Sequence, residues 1–287
     1  MTDNSIFSRA SSPVHSGVTP PYIDLRDGTM DWAGSIDGVA EAVVCYMNQP
    51  HNGFSGCFPT GTTDFSVVDS SHLENTVAPE LIAASVTDVV MDIEWSPTNS
   101  TTDRWEVYSV PPNPNRSDAI ALWPDVIAGL RAGGYTGTIG MYSNTARWSE
   151  FARYTYHNDT YNAGVQYAYN MQLEEDLAPL QAQFDVLYPS VYAYHVGNNP
   201  ALPLDEKKER LRHEFEMSHT ALSYFNPGKP IQWFISPNDT STHLPDGLYE
   251  WQIRELRQYG YPQIVWNAPT YPPNAAEIEL MEAINRT

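Results

Sequence analysis

The chain has 287 residues, 41% of them hydrophobic, enough for one large α/β barrel or two smaller domains. Its formal net charge is −20, from 35 acidic against 15 basic residues, with lysine only at Lys207, Lys208 and Lys229. That surface repels phosphates and argues against nucleic acid as a partner. No apolar run approaches the ~20 residues of a membrane span. Two cysteines, Cys45 and Cys57, leave pairing across a short loop open, but they make neither a disulfide framework nor a zinc site. The eight histidines show no metal-binding spacing, so neither metal nor cofactor is expected. His195, next to Tyr194, is within reach of a cleft there, but a hydrogen-bonded structural histidine is the expected reading.

Residues 1–20, rich in Ser and Thr with Pro13 and Pro20, read as a flexible or extended arm, a candidate for contact with an assembly partner. The polar start has no charged cluster followed by an apolar block, so no classical signal peptide is expected. An extracellular or virion-associated setting, with export by another route or within an assembly, is the expectation. Five Asn-x-Ser/Thr sequons, at Asn99, Asn115, Asn158, Asn238 and Asn285, matter only in a glycosylating host.

From residue 21 to 287 strand and helix patterns alternate, which predicts one domain. Strands are expected at Tyr22–Leu25, Ala40–Met47 and Phe65–Val68, then a short helix at Pro79–Val86 leading into the apolar run Asp88–Met91. A long Pro- and Asn-rich loop follows over 97–117, with a short strand at Trp105–Val110. A helix is predicted from Ser117 to Gly133, either kinked at Pro124 or starting there. Thr138–Tyr142 reads as strand, and 145–182 as helix interrupted near Tyr154–Tyr161. Phe184–Tyr194 reads as strand, Leu204–Phe225 as an amphipathic helix closed by Asn226-Pro227-Gly228, and Pro230–Ser236 as strand. Tyr249–Tyr259 is predicted helical, Gln263–Asn267 strand and Ala275–Ile284 a closing helix. Alternation of this kind predicts a parallel sheet, here a distorted (β/α) TIM-like barrel of seven or eight strands. No glycine-rich nucleotide fingerprint follows any strand.

In such a barrel the site lies at the carboxyl ends of the strands. The run through Val90, Asp92 and Glu94 places two carboxylates on one face of a strand, their Cα atoms roughly 6–7 Å apart. Like charges that close do not ionise independently, which keeps one carboxyl protonated near neutral pH, as acid-assisted acetal cleavage requires. A solvated strand terminus is the plain alternative. Trp95, Tyr142, Asn144, Tyr192, Tyr194, Ser236, Trp266 and Asn267 fall at the same ends and compose a sugar-binding inventory, because flat rings cover the apolar faces of sugars.

The order Asp92-Ile93-Glu94-Trp95, a strand ending in Tyr142, the string Leu187-Tyr188-Pro189-Ser190-Val191-Tyr192 and a terminal Ile264-Val265-Trp266 resembles the hyaluronidase family of glycoside hydrolases. The resemblance spans roughly residues 88–267. It implies Glu94 as general acid/base and Asp92 orienting the substrate's own acetamido group as nucleophile. It also implies Tyr142 and Tyr192 lining the subsite and Trp266 packing on the sugar. The chain departs from the family in lacking its stapling cysteines and basic groove, which separates the mechanism from hyaluronan as substrate. A second, weaker resemblance is to barrel-type lysozymes (muramidases), through Asp92 and Glu94, the string Ile139–Asn144 before Trp148, and Asp24 on the first strand. Both resemblances imply cleavage of a polysaccharide beside an N-acetylated sugar. The non-enzymatic alternative is a carbohydrate-binding or structural barrel module on a virion or cell surface.

Overall fold

The computed structural model describes residues 22–25, 40–46, 54–59, 68–92, 116–142, 145–146, 148–193, 196, 199–235, 244–245, 247–257 and 263–267. Along the chain these form β1 (Tyr22–Leu25), β2 (Ala40–Tyr46), α1 (Ser70–His72), a π-helical stretch (Leu73–Val77), α2 (Ala78–Ala83) and β3 (Asp88–Asp92). There follow α3 (Arg116–Ala132), β4 (Thr138–Tyr142), α4 (Ser149–Tyr156), α5 (Thr160–Gln181) and β5 (Val186–Tyr188). The described chain ends with α6 (Leu204–Phe225), β6 (Trp233–Ile235), α7 (Leu248–Arg257) and β7 (Gln263–Asn267).

The fold is α/β, with seven parallel strands among the described residues in the order β5-β4-β3-β2-β1-β7-β6. Strands β5 and β6 end that order, and they are themselves bridged in parallel at Leu187–Ile231 and Ser190–Phe234. Gln232 N–H donates to the Leu187 carbonyl at 2.9 Å and Val191 N–H to that of Phe234 at 3.0 Å. Among the described residues the two ends of that order are therefore linked by isolated parallel bridges.

Period-two alternation sorts the strand side chains into two layers. Val89, Met91, Ile139, Met141, Leu187, Trp233 and Ile235 join a buried cluster with helix residues such as Leu73, Val126, Leu177, Leu211 and Phe215. Each large aliphatic side chain buried there contributes about 1.5–3 kcal/mol. On the opposite strand face Phe234 packs on both Tyr142 and Tyr188, with ring centroids 4.7 Å and 6.0 Å away. Gly140 makes that packing possible: a Cβ there would lie 1.7 Å from Tyr188 Cε2.

The helices end where local chemistry says they should. The Asp69 side chain caps α1 by accepting from His72 N–H, and Asp159 caps α5 by accepting from Asn162 N–H. After α3, Gly134 takes φ +86° while Tyr135 N–H bonds back to the Leu130 carbonyl. The α6 bounds match the sequence pattern, with Asn226 as C-cap and Gly228 at φ +77°.

Elsewhere the structure differs from the pattern. α3 begins at Arg116 and continues through Pro124, its Trp123 buried edge-on against Phe184 at 5.2 Å. The helix before β3 starts at Ser70, nine residues earlier than expected, and includes the π stretch on which α3 rests. That contact is close: a Cβ on Gly129 would lie 2.9 Å from Leu73 Cβ, and one on Gly133 2.5 Å from Ala78 Cβ. β5 pairs regularly over only Val186–Tyr188, because Pro189 has no N–H to donate, and pairing resumes at Ser190. Val68 is not in a strand; its carbonyl accepts from Ser70 N–H as the chain turns into α1. The expected strand at Trp105–Val110, the closing helix at Ala275–Ile284 and the 1–20 arm lie outside the described residues.

Cys45 and Cys57 are not bridged. Both stay buried thiols, and Cys57 Sγ donates to the Cys45 carbonyl at 3.0 Å. Burial, reinforced by the Glu80 charge, pushes the Cys45 thiol up to about 12. No described helix is long and apolar enough to cross a membrane.

Candidate functional site

The carboxyl ends of β3, β4 and β5 lie side by side. Met91 pairs with Met141, so Asp92, the last residue of β3, stands in register beside Tyr142, the last of β4. On its other side Asp92 pairs with Tyr46 at the end of β2, and Tyr142 pairs with Tyr188. In β7, Trp266 pairs with Asp24 of β1 and Asn267 with Leu25. Glu94, Trp95, Asn144, Tyr194, His195 and Ser236 lie outside the described residues.

Two expected lining residues meet directly. The Tyr142 hydroxyl donates to that of Tyr192 at 3.1 Å, across a sequence separation of 50 residues. Tyr142 is buried and Tyr192 partly exposed, so the pair runs from the packed layer toward the surface. Its ring is propped by Phe234, which also packs on Tyr188. Phenol hydroxyls both donate and accept, and their rings present apolar faces, which suits sugar hydroxyl and acetamido groups. Trp148, part of the lysozyme-like string, is buried instead among Phe151 and Tyr167, with centroids 5.7 and 5.8 Å away.

The segments that follow the strands are pinned by glutamates from the helices. After β2, Glu80 accepts from Ser55 N–H at 2.7 Å and from Ser55 Oγ at 3.1 Å. After β4, the fully buried Glu174 accepts from Ala146 N–H at 2.7 Å and from Gln181 Nε2 at 3.0 Å. Burial pushes the Glu174 carboxyl up to about 7. The Gln181 and Ala146 donors pull the other way, and the neighbouring Trp148 indole, whose N–H makes no hydrogen bond of its own among the described residues, adds to them. Sequence reasoning missed Tyr188, Phe234 and Glu174. The alternation Tyr188, Ser190, Tyr192 holds a signal for the first, whereas Glu174 sits in a predicted helix beside Glu175 and Asp176 with no local mark of burial. Among the described residues no group of three or more His, Cys, Asp or Glu side chains is placed to hold a metal ion.

A parallel α/β fold with Asp92 and Tyr142 at neighbouring strand ends is the class of molecule that these observations define. No protein-family model and no curated protein matches the sequence. Among solved structures the chain is similar to bee venom hyaluronidase in complex with a hyaluronic acid tetramer. The TM-score is 0.53 at 12% identity, over 93% of this chain and 96% of that one. That likeness shows a shared fold. Morphinone reductase in complex with tetrahydroNAD aligns with TM-score 0.46 at 13% identity, over 93% of this chain and 77% of that one. β-Mannanase from the blue mussel Mytilus edulis gives 0.29 at 10% identity, over 84% and 95%. Both superpose too loosely to bear on the argument.

Proposed function

We propose that the protein is a glycoside hydrolase that cleaves a polysaccharide beside an N-acetylated sugar at the carboxyl ends of a distorted (β/α) barrel. The observation that carries this reading is the Tyr142–Tyr192 hydroxyl pair at 3.1 Å, one strand from Asp92 in register. The fold shared with bee venom hyaluronidase supports it, as does the parallel bridging between the segments around β5 and β6. In this reading Glu94 is the general acid/base, protonating the leaving oxygen and later activating water. Asp92 orients the acetamido group whose oxygen attacks the anomeric carbon in place of an enzyme carboxylate. Tyr142, Asn144, Tyr192 and Tyr194 hydrogen-bond the sugar, while Trp95, Trp266 and Asn267 border it.

A net charge of −20 favours a neutral substrate over polyanionic hyaluronan. A muramidase is the second reading, supported by the position of Asp24 on β1, the first strand, as that resemblance implies. A reducing-end assay on hyaluronan, chondroitin, chitin oligomers and peptidoglycan, run beside Glu94→Gln, tests both. Turnover lost in the variant supports the hydrolase and names the polymer. Sugar binding without turnover, unchanged in the variant, points instead to a non-catalytic carbohydrate-binding or structural module.

A further inference from the structure

We propose that Glu174 is a positioning residue for the Tyr142–Tyr192 pair: its buried carboxylate holds Ala146, and so the chain that leaves β4, in place. What the pair binds rests on the glycan reading above; the geometry does not. Ala146 lies four residues beyond Tyr142. One Glu174 oxygen takes the Ala146 N–H at 2.7 Å and the other takes Gln181 Nε2 at 3.0 Å. Gln181 Oε1 in turn accepts from Asn226 Nδ2, the C-cap of α6, at 2.6 Å. A buried relay therefore ties the exit of β4 to α5 and to the end of α6, and Glu174, Gln181 and Asn226 are all buried.

An acid in such a place is costly, and an apolar side chain would stabilise the core more cheaply. What the carboxylate supplies is two directed, charge-assisted acceptors that admit one loop geometry. Among the described residues the groups facing it are uncharged: the Ala146 amide and Trp148 indole from the loop and Gln181 from its own helix, Gln181 being held in turn by Asn226. On α6, His213 stacks on Phe151, which packs on Trp148, and burial holds its imidazole below the usual range. Protonating Glu174 removes the charge and turns one acceptor into a donor, which weakens the hold on either Ala146 or Gln181.

The test compares the full chain with Glu174→Gln, which keeps the shape and removes the charge. In protein labelled with ¹⁵N-alanine, the Ala146 amide of the wild type should titrate with a midpoint near 7, and that of the variant should not. Hydrogen exchange at Ala146 should speed up about ten-fold or more in the variant while β4 stays protected. Binding of hyaluronan or chitin oligosaccharides should weaken about ten-fold and lose its pH dependence across neutrality. Wild-type exchange at Ala146 in the variant, or a loosened Ala146 with unchanged sugar affinity, overturns the proposal. If the wild type binds none of these sugars, the glycan reading falls, while the exchange rates still decide whether Glu174 holds the loop.

Discussion

Replacing Gly140 with alanine adds one methyl group to the centre of β4, and the structure says where it goes. The new Cβ would lie 1.7 Å from Tyr188 Cε2, 2.5 Å from Cδ2 and 2.8 Å from Cζ. Carbon atoms in contact sit about 3.5–4.0 Å apart, so the ring must move by roughly 2 Å. It has little room, because Tyr188 is fully buried and its ring packs on Phe234. Overpacking of this kind costs about 1–3 kcal/mol, and an overlap this deep with a rigid ring belongs at the upper end. Gly140 does not take a positive φ, so the backbone accepts alanine without strain. The lower entropy of the unfolded alanine chain would by itself stabilise, by about 0.4–1 kcal/mol. A net loss of about 2–3 kcal/mol in urea unfolding at constant m is the expected result. In a Tyr188→Leu background the same substitution should cost at least about 1 kcal/mol less. An equal cost in both backgrounds, or a loss under about 0.5 kcal/mol, refutes the packing argument.

Three further outcomes can be measured on the same protein. Because burial raises the Glu174 carboxyl from 4.5 to about 7, the native state holds an extra proton between those values. Its contribution is fully present below pH 4.5 and is lost as pH rises through 7, a fall of about 3 kcal/mol that Glu174→Gln should abolish in urea melts across that range. Tyr142→Phe and Tyr192→Phe should each weaken oligosaccharide binding by about 1 kcal/mol, and the double variant by less than the sum, since both remove one shared hydrogen bond. Gly133→Ala should cost about 2–3 kcal/mol in urea unfolding, since its Cβ meets Ala78 Cβ at 2.5 Å and the Glu74 carbonyl at 2.6 Å, where backbone cannot yield.

The sequence by itself determined much of the scaffold, because the scaffold is written in local terms. The alternation of apolar runs with amphipathic stretches predicts parallel strands separated by helices. The bounds of β1, β4, α6 and β7 follow from period, caps and glycine stops. It also places Asp92, Tyr142 and Tyr192 at or beyond strand ends, since face and position along a strand are period-two properties. Only the tertiary structure decided which of these meet. The Tyr142–Tyr192 contact joins residues 50 apart, and no local rule encodes that register. The same holds for Gly140, a weak strand residue until the Tyr188 ring from the next strand fills its place. It holds as well for Glu174, whose neighbours in sequence, Glu175 and Asp176, are exposed while it is buried at full depth. Trp148, known from the sequence only as the tryptophan after the string Ile139–Asn144, proves to sit in a helix-side aromatic cluster, because a buried indole is placed by the rings packed around it.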